Sequence, residues 1–202
     1  MYDYSDKITA FLIKCFIEMF DTLRTEIFFD EKGVFYTVNK LYEKLDDFSQ
    51  EWLAKIAAKA YKDAGGEDNS FINLQWLTEN ILGEYDKVTK YVYTNEVDRK
   101  RSRLAESLIA SDNKAEEIDR ALKLWSSMIS QYAITAVDTA TLTAYKSFGV
   151  REVVWKSISD GRRCKVCMER DGKVYPIDDV PPKPHIGCRC YLVPKGRKNN
   201  GK

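Results

Sequence analysis

The sequence predicts a mainly α-helical protein. A helical body of about four helices spans residues 1–150, a small metal-stabilised α+β domain spans 151–194, and a basic flexible tail occupies 195–202. Three observations carry this prediction. Apolar residues recur at three- and four-residue steps through most of the first 150 positions, the period of a helix with one buried face. The first proline is Pro176, so nothing before it interrupts a long helix in the way a proline would. Four of the five cysteines crowd with the only histidine between positions 164 and 190.

The first helix is expected over residues 5–28, where Ile8, Phe11, Leu12, Cys15, Phe16, Met19, Phe20, Leu23 and Ile27 share one face, and Lys32-Gly33 closes it. A second, roughly 38–64, aligns Val38, Leu41, Tyr42, Leu45, Phe48, Trp52, Leu53, Ile56 and Ala60 and stops at Gly65-Gly66. Asn69 or Ser70 is placed to cap a third, running through Leu74, Leu77, Ile81, Tyr85, Val88 and Val92 and on past Arg103 toward Ile109, with Gly83 a weak point in its middle. The fourth, about 113–147, brings Ile118, Leu122, Trp125, Ile129, Tyr132, Ala136 and Ala140 into register ahead of Gly149, a C-cap glycine. Trp52, Trp76, Trp125 and Cys15 sit on these apolar faces and read as core.

At Val150 the character changes. Val153 and Trp155 alternate as in a short strand over 152–157, Asp171-Gly172 is a tight hairpin signal, the segment 180–184 is an extended proline loop, and 190–193 reads as a closing strand. Trp155 is expected to pack over the metal-site hairpin.

Charge divides at the same place. Residues 1–150 hold 19 Lys+Arg against 25 Asp+Glu, and residues 151–202 hold 13 against 6, so a basic domain follows an acidic body. That favours an anionic partner. The N-terminal MYDYSDKITAFLIKCF begins with acids where a signal peptide has basic residues, and no apolar run approaches the length of a membrane span. No membrane association is expected.

The cysteine pattern is Cys164-x2-Cys167, seventeen residues, then His185-x2-Cys188-x-Cys190. A two-residue gap lets a tight turn aim both ligands at one ion, and the chain supplies that gap twice. Cys164, Cys167, His185 and Cys188 are therefore the predicted ligands, with Cys190 as an alternative to His185. Thiolates and imidazole suit zinc, and four of them around one ion leave no open position for water, so the metal is structural. Disulfides are the main competing reading; a chain kept in a reducing compartment favours thiols. A cysteine–histidine nucleophilic pair would have to use His185, which ligation consumes. The sequence thus points away from an enzyme. Arg99, Lys100, Arg101 and Arg103 form the densest basic run of the body, read first as a solvated helix face and second as a phosphate contact. Lys195, Arg197, Lys198 and Lys202 have nothing to pack against in the tail, so weak, sequence-independent DNA binding is expected there.

In order along the chain stand Trp155, Asp160-Gly161, Cys164, Cys167, Asp171-Gly172-Lys173, Pro181-Pro182, His185, Cys188-Arg189-Cys190 and Pro194. Together, over roughly residues 130–195, they resemble the C-terminal signature of the phage head morphogenesis family, typified by the minor head protein F of phage Mu. The helix before the signature departs from the family, with Ile134-Thr135-Ala136-Val137-Asp138 where members usually carry an Arg-Thr-Glu-like stretch. The resemblance implies a structural minor capsid protein of a tailed phage or prophage. Such a protein would associate with the portal protein during head assembly in the host cytoplasm, reside at the portal vertex of the virion, and contact phage DNA. The rival reading is a cellular zinc-stabilised nucleic-acid-binding protein.

Overall fold

A computed structural model describes residues 13–21 and 31–196. The chain is mostly helical and ends in a three-stranded antiparallel sheet. Residues 13–21 are helical (α1), followed by α2 (Glu31–Asp63), α3 (Leu74–Leu77), which runs into a π-helical turn (Thr78–Leu82), α4 (Tyr93–Ala110) and α5 (Lys114–Ser147). Then come β1 (Glu152–Lys156), α6 (Lys165–Arg170), β2 (Val174–Pro176) and β3 (Tyr191–Pro194).

The two longest helices, α2 and α5, lie along each other, and α4 packs against both. Their shared interior is aromatic. Trp125 is fully buried, with Tyr42 edge-on at 5.3 Å and Phe16 edge-on at 6.2 Å between ring centroids. Cys15 and Trp52 are only half-buried at the margin of this core. Ile8, Phe11, Leu12, Leu23 and Ile27 of the expected first stripe lie outside the described residues.

Two expected boundaries move. Gly33 does not end a helix: it sits in the first turn of α2, which starts at Glu31, about seven residues earlier than its apolar stripe suggests. The expected third helix is two helices. It is capped by Asn73, whose side chain accepts from the Trp76 amide at 3.1 Å, and not by Asn69 or Ser70. It ends at Gly83, whose N–H closes the π turn on the Thr78 carbonyl at 2.8 Å. Asp86 then holds the reversal: its Oδ1 accepts from the amides of Val88 (2.8 Å) and Thr89 (2.6 Å), and Lys90 takes a positive φ of 65°. The side chain of Asp86 thus competes successfully with helix continuation.

The fourth helix matches its signals. Asn113 caps α5 by accepting from the Glu116 amide at 3.3 Å, and Gly149 takes φ +71° at the far end, where its N–H meets the Lys146 carbonyl at 2.9 Å. The chain then enters β1, the central strand in the order β2-β1-β3. Val153 pairs with Tyr175 and Trp155 with Leu192. Val153 and Trp155 point to the buried face, and Val154 and Lys156 to the other, as a two-residue period requires.

Asp171-Gly172 does not form a β-hairpin. It ends α6 and starts β2, with Gly172 at φ +77° and its N–H on the Trp155 carbonyl at 2.8 Å. The excursion from β1 to β2 is instead filled by α6. Lys195 is not a free tail cation either: its amide donates to the Glu152 carbonyl (3.0 Å) and its Nζ pairs with Glu152 Oε2 (2.8 Å). Arg197, Lys198 and Lys202 lie outside the described residues.

Candidate metal centre

The centre is built on α6 and on the loop that leads into β3. Cys164 is the N-cap of α6, and its Sγ accepts from the Cys167 amide at 3.3 Å. A sulfur takes the place that a Ser or Asp oxygen usually fills. This cap turns Cys164 and Cys167 to the same side, with 3.3 Å between their sulfurs. The loop after the prolines returns His185, Cys188 and Cys190 to them, with Gly187 supplying a φ of +71° in the turn between His185 and Cys188.

Cys167 is the hub. Its Sγ lies 3.6 Å from His185 Nε2 and 3.7 Å from Cys188 Sγ. The ligand atoms fall into two overlapping triads, Cys164–Cys167–His185 and Cys167–Cys188–Cys190, each within 4.8 Å. All five predicted residues are therefore gathered, and Cys188 is grouped with Cys190 more closely than with His185. The five cysteines Cys15, Cys164, Cys167, Cys188 and Cys190 are free thiols, with no disulfide among them.

The donor set fits a tetrahedral ion on three counts. A tetrahedron with metal–sulfur bonds of about 2.3 Å has sulfur–sulfur edges of about 3.8 Å, and slightly shorter ones to nitrogen; the 3.7 Å and 3.6 Å separations match those edges, and the 3.3 Å between Cys164 and Cys167 is shorter than one. The His185 Nδ1 lies 2.9 Å from the Ile186 carbonyl, which can only accept, so Nδ1 carries the proton and Nε2 presents a lone pair toward the sulfurs. Cys167, Cys188 and Cys190 are buried, where thiolates are stable only beside a positive charge. Burial pushes the Cys167 thiol up, while the Cys167 amide, first among several contacts, lowers Cys164. Cys188 and Cys190 share a hydrogen bond that raises the first and lowers the second.

Around this cluster lies a scaffold that the spacing of ligands did not reveal. Lys183 is buried, and its Nζ reaches Asp138 Oδ2 of α5 at 2.9 Å and the Cys190 carbonyl at 2.5 Å. It also lies 4.8 Å from the centre of the Trp155 ring, with Arg170 at 5.0 Å from the same ring. Tyr145 of α5 adds a hydroxyl bond to the Leu192 carbonyl at 3.4 Å. The cluster is thus fastened to the last turns of the longest helix. Arg189, between two of the cysteines, grips Asp160 at 2.6 and 2.7 Å. Asp138 and Lys183 stand 45 positions apart, so no local sequence pattern pairs them.

Fold and cluster together define a helical protein closed by a cysteine–histidine module able to hold a metal ion. The family model described as Phage Mu protein F like protein matches residues 109–193, from the end of α4 to β3. That segment, somewhat under half of the chain, is similar to the phage Mu protein F like family. No curated protein and no solved structure matches the chain. Among the described residues, no helix is long and apolar enough to cross a membrane.

Proposed function

We propose that this chain is a structural minor head protein that binds the portal of its own phage, enters the head at that vertex, and uses zinc to hold its docking module rigid. The observation that carries the reading is the coincidence of the matched segment with the metal cluster and its helical mount: residues 109–193 contain α5, the sheet up to the last residue of β3, and all five candidate ligands. Zinc is the ion of choice for thiolate and imidazole donors at tetrahedral separations. Cys164, Cys167, His185 and Cys188 are the proposed ligands, with Cys190 replacing His185 in the alternative set. Either set is closed, so the ion stabilises structure and performs no chemistry, and the chain is not an enzyme.

Several apolar side chains support docking at the module. Val166 and Met168 on α6 and Ile186 beside the ligand loop stand 40–48% exposed around the cluster. Such residues gain most by being covered in a complex. The test is co-expression with the portal protein encoded beside it, then co-purification, repeated with Cys167→Ser. Association lost with the variant places docking on the module, and association retained moves it to the helices. No association, with the chain also absent from purified particles, removes the head-protein reading.

A second reading, a cellular zinc-stabilised nucleic-acid-binding protein, draws on the surplus of 13 Lys+Arg over 6 Asp+Glu in residues 151–202. Contact with phage DNA by a head protein draws on the same surplus. Salt-dependent duplex binding without any portal association would favour the cellular protein.

A further inference from the structure

On the side of the body formed by α2, α4 and α5, a pocket of about 50 Å³ opens between α4 and α5, lined by Tyr42, Arg99, Lys100, Arg103, Glu117 and Arg120 among others. That space holds on the order of four waters, or one small tetrahedral oxyanion. It is separate from the cysteine–histidine cluster, and only its α5 wall falls within the segment matched by the family.

Three features distinguish it from an ordinary solvated helix face. Lys100 is 8% exposed, an uncommon burial for an ammonium group, and its one ion-pair partner among the described residues is Glu96 at 3.1 Å. Burial pulls its pKa down, with Arg99 and Arg103 acting in the same direction and Glu96 opposing them. Arg103 is exposed at the rim and has no hydrogen bond or ion pair among the described residues. Its neighbours are already engaged, Arg99 with Glu96 at 3.0 Å and Arg120 with Glu117 at 2.9 Å. Tyr42 lines the pocket, and its hydroxyl is buried with no hydrogen-bond partner among the described residues, an orphan donor of the kind that a native fold rarely leaves. Counting Glu96, Glu116 and Glu117, the four cations Arg99, Lys100, Arg103 and Arg120 still exceed the nearby carboxylates by one.

We infer that this pocket binds a phosphoryl oxyanion. Arg103 supplies the free guanidinium fork, Lys100 a buried positive charge, and Tyr42 the orphan donor. The group has two possible sources, a free phosphate or small phosphoester, and the backbone of a nucleic acid. This inference is independent of the portal reading and of the metal: it concerns residues of the helical body, and its failure would leave portal co-purification unaffected.

The experiment titrates inorganic phosphate into the full chain at constant ionic strength, with chloride as the control anion, and follows 31P line broadening. Wild type should broaden the signal. Arg103→Gln should bind about tenfold more weakly, as expected for loss of a charge-assisted bond to an anion. Its thermal melt in chloride should match wild type, since Arg103 is exposed and contributes no contact to the core, so lost binding is not lost folding. Tyr42→Phe should weaken binding by less. A short DNA duplex is then added: displacement of phosphate, with a salt slope lowered by about one in Arg103→Gln, assigns the site to nucleic-acid backbone. Phosphate binding that the duplex does not displace assigns it to a free phosphate or phosphoester. Equal broadening by wild type and Arg103→Gln, or none beyond the chloride control, overturns the proposal.

Discussion

In the helical body, Trp125, Tyr42 and Phe16 meet edge to face inside an interior shared by α1, α2 and α5. In the C-terminal module the buried set is Val153, Trp155, Ile177 and Leu192, completed by Tyr145 from α5 and by three cysteines. The body removes large apolar surfaces from water along helices of 33 and 34 residues. The module has three strands of three to five residues and a six-residue helix, a small apolar set to which, on the zinc reading proposed above, ligation would add folding free energy. The two regions should therefore respond to opposite insults.

The largest expected effect tests that directly. Cys167→Ser removes the hub of both triads. Residues 152–194 should lose hydrogen-exchange protection while the far-UV helical signal falls little, and a strong chelator should do the same to wild type. Zinc fingers that depend on their ion gain an apparent 10–16 kcal/mol from it, about enough to decide whether a small module folds at all. Global loss of helicity would show that the body leans on the module. Unchanged protection would show that no ion is needed.

The complementary cut is Trp125→Ala. It leaves a cavity where three aromatic rings meet and should cost about 3–5 kcal/mol. The melting of the helices should drop while the metal content per chain stays the same. If metal content fell with it, the body would be a prerequisite for the module and the two-part description would fail.

These differences also explain what could be read in advance. Helix α5 was legible from both ends because Asn113 and Gly149 are residues whose backbone chemistry has one obvious use at a helix terminus. The gathering of Cys164, Cys167, His185, Cys188 and Cys190 followed from spacing alone, since ligand geometry dictates short gaps. The break after Gly83 was not legible, because it depends on Asp86 accepting two backbone amides, a local bond that periodicity does not register. Helix α6 was missed for a related reason: its cap is a cysteine, which the usual capping preferences exclude. The Lys183–Asp138 contact is tertiary and has no sequence signature.

That contact is where the comparison can be sharpened, because it joins the two regions. Lys183→Met keeps much of the side chain's bulk but removes the ammonium from Asp138, the Cys190 carbonyl and the Trp155 ring. Leaving Asp138 without its partner should cost about 2–3 kcal/mol, and the melts of module and body should separate on the temperature axis. Asp138→Leu in the same chain should recover part of the loss, since the unpaired carboxylate would be gone. Full additivity of the two changes would argue that the ion pair contributes nothing to the seam.

The smallest expected effect is one of pH, and its sign follows from Asp138. Burial raises this carboxyl above its ordinary value, and the nearby Lys183 offsets the rise only in part. In the window between the ordinary and the raised value, the folded chain holds a proton that the unfolded chain has released. Stability contributed by this group is therefore greatest below the ordinary carboxylate value of about 3.9, falls as pH rises through the window, and is level above it. For one proton the slope cannot exceed about 1.4 kcal/mol per pH unit. Other carboxylates lean the opposite way: Asp171 is lowered, first by the Ser157 amide, and loses its contribution as pH falls. Only a difference between wild type and Asp138→Asn isolates the seam. Measured by denaturant unfolding across the acid range, the asparagine variant should gain relative to wild type as pH rises through the window and then hold a constant difference. A difference that is flat throughout, or that grows on acidification, would mean that Lys183 dominates the environment of Asp138 and that the seam is held chiefly by an ion pair.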